Sequence, residues 1–347
     1  MALTRREFLQ LSVGYLLHEA TKGKENEAAP FPLGFHFPFH YLGVPAQVEA
    51  AKRFLSRGGG NMVVIDIKDE SGNMSLEVDH RLAPKARYAK SLIEFVNWLR
   101  AEGVYVVCRQ VVASDSVLVR QHPDLGLKDK WGSQITASRE AAVDLYQPEI
   151  GEFQAAIGAR AVEIGFDEVQ LDYIRFPDTI SPKYVNHLGE NTAESRSMVV
   201  AGVLAAVKRA VNERGGILAM DCFGYTAWKQ NSDQGIGQLL EIVGPHVDVL
   251  SPMAYPSTYG AGLQEPCSGG CKPPAKYPYE IVYWTTYRAL ERLALVNPGA
   301  IVRPWIQAYA PLVKNADIAK QTKAANDAGA VGMMCWNDYG NYPRLYP

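Results

Sequence analysis

Gly165–Phe166–Asp167–Glu168–Val169–Gln170–Leu171–Asp172–Tyr173–Ile174–Arg175–Phe176–Pro177–Asp178 reads as a helix end, a strand and a turn. Gly165 can close the preceding helix, and Val169, Leu171 and Tyr173 alternate with Gln170, Asp172 and Ile174. One face is therefore apolar and the other carries an acid. A strand that places a carboxylate among its inward residues, just before a Pro turn, must pair that charge or use it, because burying it alone is expensive. Arg175 is near enough in sequence to be the partner, so a plain structural Asp–Arg pair stands beside the functional reading.

Working outward, the flanking chain repeats one pattern. Apolar helical spacing at 149–164 feeds the quoted strand, and a strong helix at 193–214, with Asn191 and Glu194 spaced for capping, leads to a strand at 217–224. Upstream lie strands at 33–38, 62–69 and 104–112, with helices at 47–57 and 89–102 between them. The run Met62–Val63–Val64–Ile65–Asp66–Ile67–Lys68–Asp69 is almost continuously apolar, with charges only toward its C-terminal end, the pattern of a parallel strand covered on both faces. Downstream come a helix at 232–243, a strand at 247–255, a helix at 279–295, a strand at 301–309, a helix at 316–328 and a strand at 331–338. Eight strands with seven intervening helices is the count of a single-domain α/β fold, the (β/α)8 TIM barrel, over residues 31–347. Its eighth helix is expected to be short or missing, since only nine residues follow Asp338. An open doubly wound sheet would require a Gly-rich phosphate turn after the first strand, and none is present.

In such barrels the chemistry sits where the C-terminal strand ends meet the following loops. Here the long connections follow strands three, four and six, so one rim is enlarged. Polar residues collect at that rim: His36, Asp66 with Lys68, Arg109, Asp172 with Arg175, Asp221, Ser251 with Tyr255, Gln307, and Trp336 with Asp338. Asp66 and Lys68 are two apart and face the same way, so either they neutralise each other or Lys68 reaches a substrate. Arg109 could hold a carboxylate in its ionised form. The scattered histidines do not form the ligand set of a metal-dependent hydrolase, so neither metal nor cofactor is expected. A Schiff-base aldolase would make Lys68 the nucleophile. Two carboxylates flanked by aromatic rings match glycoside hydrolysis best, with Asp172 and Asp221 on neighbouring strands at comparable depth, in a spacing open to retaining or inverting chemistry.

The stretch from Gly165 to Pro177 also closely resembles the signature of a family of glycoside hydrolase-like domains, formerly a domain of unknown function within the glycosidase barrel superfamily. The likeness continues through Asp66–Ile67–Lys68–Asp69, Asp221–Cys222–Phe223–Gly224–Tyr225, Ser251–Pro252–Met253–Ala254–Tyr255–Pro256 and Trp336–Asn337–Asp338. The resemblance implies a barrel and a carbohydrate substrate. It also implies a nucleophile at the end of strand four, which falls on Asp172. Asp221 is the expected acid/base, with Asp338 and Asp66 in reserve; Arg109 and Arg175 would keep Asp172 ionised. Tyr255, Trp336 and Tyr173 would face the sugar, and His36, Lys68 and Gln307 would contact it. The rival reading is a non-catalytic glycan-binding barrel of the cell envelope.

Composition and termini complete the picture. The formal charge is −2 and the pI about 6.4, which offers no electrostatic footprint for nucleic acid. The 18 Tyr and 6 Trp suit a sugar-stacking site, although aromatics also fill cores. Arg5–Arg6–Glu7–Phe8–Leu9 followed by an apolar run resembles a twin-arginine export signal, and 22–30 reads as a polar linker, so residues 1–30 are expected to deliver a periplasmic or extracellular domain. No run of eighteen apolar residues exists to span a membrane. Of five cysteines, Cys108, Cys222 and Cys335 lie in apolar strands, whereas Cys267 and Cys271 share a Pro- and Gly-rich loop. In an exported protein that pair reads as a local disulfide rather than as half of a zinc site.

Overall fold

The computed structural model describes residues 32–340, apart from 138, 188–189, 261–262, 264–266, 268–269 and 338–339. The proposed export segment, Asp338 and the expected lack of an eighth helix thus lie outside the described residues.

Strands β1 (Leu33–Phe37), β2 (Met62–Lys68), β3 (Tyr105–Val111), β4 (Glu168–Asp172), β5 (Ile217–Phe223), β6 (Val249–Met253), β7 and β8 (Met333–Trp336) pair in chain order and all in parallel. β7 comes in two pieces, Ile301–Val302 and Trp305–Gln307, because Pro304 in the break has no N–H for the ladder. The sheet closes where Leu33 on β1 registers with Met333 on β8, and the result is a (β/α)8 barrel. Its outer layer comprises α1 (Pro45–Ser56), α2 (Ala89–Ala101), α3 (Pro148–Glu163), α4 (Ala193–Glu213), the single turn α5 (Leu240–Val243), α6 (Pro278–Val296) and α7 (Asn315–Asp327).

Strand alternation divides the side chains between two environments. On β4, Val169 and Leu171 face outward and join a core with Phe95, Phe153, Ile157, Leu204 and Val207 of the surrounding helices. Glu168, Gln170 and Asp172 face the barrel axis. Near the N-terminal end, Glu168 accepts hydrogen bonds from Arg303 at 2.7 Å and from the Tyr105 hydroxyl at 3.0 Å. Both charges of this pair are fully enclosed, so deleting either alone would cost roughly 3–5 kcal/mol. Above it, Gln170 donates to Ser251 at 3.2 Å, and Met62, Val64, Val107, Trp305 and Met334 fill the space between strands. The acid of the quoted strand therefore sits on a plugged floor.

Gly165 closes α3 at φ +111°, as its position suggested. The α4 cap is Thr192 with Ser195, which exchange reciprocal bonds, rather than Asn191 with Glu194. The helix expected at 232–243 is absent in that form: a short helix forms at Gly224–Trp228, and only α5 remains of the later part. Asp233 explains the difference, because its carboxylate accepts the backbone N–H groups of Gly235 and Gly237 and pairs with Arg196, fixing a loop where a helix would need those donors.

Candidate active site

The C-terminal rim encloses a cavity of about 480 Å3, within the usual range for small-ligand pockets. His36, Asp66, Arg109, Asp172, Tyr173, Arg175, Asp221, Tyr255 and Trp336 line it, as the sequence suggested, joined by Pro38, Phe39, His40, Asp69, Glu70, Phe223, Met253 and Trp305.

Arg109 is the hub. From β3 its guanidinium reaches Asp66 on β2 at 2.8 Å, Glu70 just beyond β2 at 2.6 Å, and Asp172 on β4 at 2.7 Å, while lying 4.8 Å from the centre of the Trp336 ring. Its planar fork of five donors suits this triple pairing in a way a lysine could not. Asp66 also receives the His36 imidazole at 2.9 Å. Burial pushes the Asp66 carboxyl up, but His36 and Arg109 together outweigh it and hold the group at about 2.

Asp172 accepts two Arg109 hydrogens on Oδ2, at 2.9 and 2.7 Å, and the Tyr173 N–H on Oδ1 at 2.7 Å. To present that N–H, Tyr173 adopts φ +50°, a left-handed backbone that costs a non-glycine residue roughly 1–3 kcal/mol and clusters at functional sites. Arg175 does not pair with Asp172. It bonds Asp178 at 3.0 Å and lies 4.4 Å from the centre of the Phe223 ring, so of the two expected partners only Arg109 engages this acid.

Asp221 behaves differently. Leu171 on β4 registers with Met220 on β5, which places Asp172 and Asp221 side by side one residue further on. Asp221 is buried, no cation among the described residues pairs with it, and its Oδ1 accepts the Trp305 indole N–H at 2.8 Å. Burial, and then the charge of Asp172, push its carboxyl well above the usual range, against the pull of Arg109 and the indole. An indole nitrogen only donates, so a proton on Asp221 would sit on Oδ2. Two acids one strand apart are thus set in opposite environments.

Two expected contacts move out of the cavity. Lys68 is fully buried: a bulge between Asp66 and Lys68 breaks their shared facing, and the ammonium pairs with Asp115 and the Val111 carbonyl, both at 2.8 Å. It forms a structural ion pair, with Asp115 rather than Asp66. Gln307 is also enclosed and commits its amide to the Ser257 N–H and the carbonyls of Tyr309 and Ala310, which shape the rim loops instead of reaching a ligand. Trp336 lines the cavity, but His36 already stacks on its ring at 4.1 Å. Tyr255 and Tyr173 are half-buried walls, and burial raises both phenols, that of Tyr173 to about 12.

Among the missed residues, Trp305 had a usable signal, since it alternates with Gln307 and so faces inward on β7. Glu70 and Asp69 follow β2 immediately, where a rim acid is expected. Met253 and Phe223 gave none, being ordinary apolar strand ends. Among the described residues, no three His, Cys, Asp or Glu side chains cluster so as to hold a metal ion. On the rim after β6, Cys267 and Cys271 are joined in a disulfide.

Fold and site together define a (β/α)8 barrel with a pair of neighbouring carboxylates at its C-terminal rim. Residues 34–342 match the family described as "Putative glycosyl hydrolase domain", and the chain belongs to that family. Solved structures share the fold at low identity. The PgaB (BpsB) glycoside hydrolase domain from Bordetella bronchiseptica is 13% identical with a TM-score of 0.65, covering 90% of this chain and 95% of that one. An endo-1,4-β-D-mannanase from Thermotoga petrophila is 14% identical at TM-score 0.55, covering 90% and 93%. A GH18 chitinase from Pseudoalteromonas aurantia is 12% identical at TM-score 0.51, covering 89% and 96%. No curated protein matches the chain in sequence.

Proposed function

We propose that this chain is a retaining glycoside hydrolase acting on a polysaccharide or envelope glycan, with Asp172 as nucleophile and Asp221 as acid/base. The observation that carries this reading is the contrast between the two neighbouring carboxyls: Asp172 clamped by a guanidinium, Asp221 buried against an indole and pushed toward its protonated form. A buried acid pushed upward, beside one paired with a guanidinium, divides the roles of proton donor and nucleophile. Asp172 and Asp221 leave neighbouring strands at the same level, an arrangement that suits the close carboxyl pair of retaining enzymes, roughly 5–5.5 Å apart.

In the first step Asp172 attacks the anomeric carbon, the glycosidic C–O bond breaks, and the Asp221 proton passes to the departing oxygen. In the second, Asp221, now a carboxylate, takes a proton from water as that water attacks the anomeric carbon and releases Asp172. Arg109 positions the nucleophile, and Tyr255, Tyr173 and Phe223 wall the sugar. The disulfide favours an oxidising compartment, in keeping with export through the Arg5–Arg6 segment. Among the described residues no helix is long and apolar enough to cross a membrane.

The test is reducing-end release from a panel of bacterial and plant polysaccharides by the wild type, Asp172→Asn and Asp221→Asn, each shown to fold. Release lost in both variants supports the pair. Glycan retention without cleavage, equal in all three proteins, would make the barrel a binding module and Asp172 a structural charge.

A further inference from the structure

Outside the cavity, on the same rim, the loop after β3 and the loop after β4 are zipped together. Lys130 N–H donates to the Tyr184 carbonyl at 2.9 Å and Asn186 N–H to the Lys128 carbonyl at 3.0 Å. At the tip Trp131 is 68% exposed, the one large apolar side chain among the described residues of these two loops that the fold leaves so open. The tip is not slack. Asp129 accepts the N–H groups of Trp131 and Ser133 at 2.9 and 2.8 Å, and Gly132 turns at φ +89°. The indole stacks on Tyr184, with ring centres 5.7 Å apart and planes 25° apart. The Lys130 ammonium lies 4.7 Å from the Trp131 ring centre and 4.8 Å from that of Tyr184, and Lys183 lies 4.8 Å from the Tyr184 ring. Among the described residues no carboxylate pairs with either ammonium, and the nearest in sequence, Asp129, is committed to its own turn.

A single exposed Trp needs no explanation. A pre-ordered pair of rings carrying two uncompensated ammonium groups has the chemistry to stack a sugar ring and meet an acid on it. We propose that Trp131, Tyr184, Lys130 and Lys183 form a second glycan-binding site, separate from the cavity, that takes acidic sugar units of a long polysaccharide. The choice of ligand rests on the carbohydrate reading above, but binding at this site does not require cleavage. The site holds a polymer strand on the rim beside the cavity, to which the β4 loop connects directly through Tyr173 and Arg175.

The experiment is affinity electrophoresis of the full chain in gels containing polygalacturonate, alginate or hyaluronan, with neutral pullulan and mannan as references. It compares wild type, Trp131→Ala, Lys130→Gln/Lys183→Gln and Asp172→Asn, with melting temperature as the folding control. Retention by at least one acidic polymer is expected, weakened about tenfold by Trp131→Ala, the size of one stacked ring with its cation. The double Lys variant should lose the acidic preference and its salt sensitivity while melting as the wild type does. Cleavage of the same polymers is read in parallel, with Asp172→Asn as the cleavage-negative reference, which separates this site from the catalytic reading: Trp131-dependent retention without any cleavage would sustain the site and sink the hydrolase. If no acidic polymer retards the wild type, or if all variants are retarded alike, the second site does not exist.

Discussion

Replacing Trp305 with Phe isolates what the environment of Asp221 does. The indole N–H donates to Oδ1 at 2.8 Å and, with Arg109, opposes the upward push of burial and of the Asp172 charge. A hydrogen bond to a charged acceptor is worth about 1.5–3 kcal/mol, so its loss should move the Asp221 titration upward by about one to two pH units. The smaller ring also leaves a gap, at a stability cost of about 1–3 kcal/mol. Carbon-13 NMR of the aspartate carboxyls reads the titration directly, with Asp221→Asn identifying the resonance. Once a substrate is known, the alkaline limb of kcat/KM should shift the same way, because the acid must be protonated and activity is lost as pH rises through its pKa. An Asp221 that titrates in the ordinary carboxylate range in the wild type, or a Trp305→Phe variant whose titration stays put or falls, would remove the basis for calling it the acid.

Three further outcomes follow from the same geometry. Arg109→Met leaves Asp66, Glu70 and Asp172 without their shared cation and should cost about 3–5 kcal/mol in urea unfolding at pH 7; a loss below 1 kcal/mol would mean the hub is not structural. Asp66, held at about 2 in the folded state against about 3.9 unfolded, contributes on the order of 2 kcal/mol that is present above pH 4 and lost as pH falls from 4 through 2. That acid-dependent loss, measured by denaturant unfolding at several pH values, should be absent in Asp66→Asn. Unfolded, unreduced protein should titrate three thiols, those of Cys108, Cys222 and Cys335, and Cys267→Ser/Cys271→Ser should cost about 2 kcal/mol, the loop-closure value for so short a ring.

Much of the architecture was legible because strand and helix periodicities alternate along most of the chain, and because Val169 and Leu171 declare which face of β4 is covered. The rim was legible too, since charges cannot be placed on strand ends without a use. What alternation could not show is where it breaks. The bulge after Asp66 sends Lys68 to Asp115, a partner 47 positions away, and no local pattern foretells it. Gln307 faces inward by alternation yet is consumed by loop backbone, which depends on how the rim connections fold. The helix expected at 232–243 failed because one carboxylate, Asp233, captured the backbone donors of two glycines and an arginine from α4. The Glu168–Arg303 pair joins strands 135 positions apart, and only closure of the barrel brings it into being.

The central claim is that Asp172 bonds covalently to sugar while Asp221 supplies the proton. The direct measurement is mass spectrometry of protein acid-quenched during turnover of a polysaccharide it cleaves, followed by peptide mapping. A glycosyl adduct on the peptide carrying Asp172, accumulating in Asp221→Asn with an activated substrate, is the predicted result. Cleavage that proceeds with no adduct, or that survives in Asp172→Asn, would contradict it.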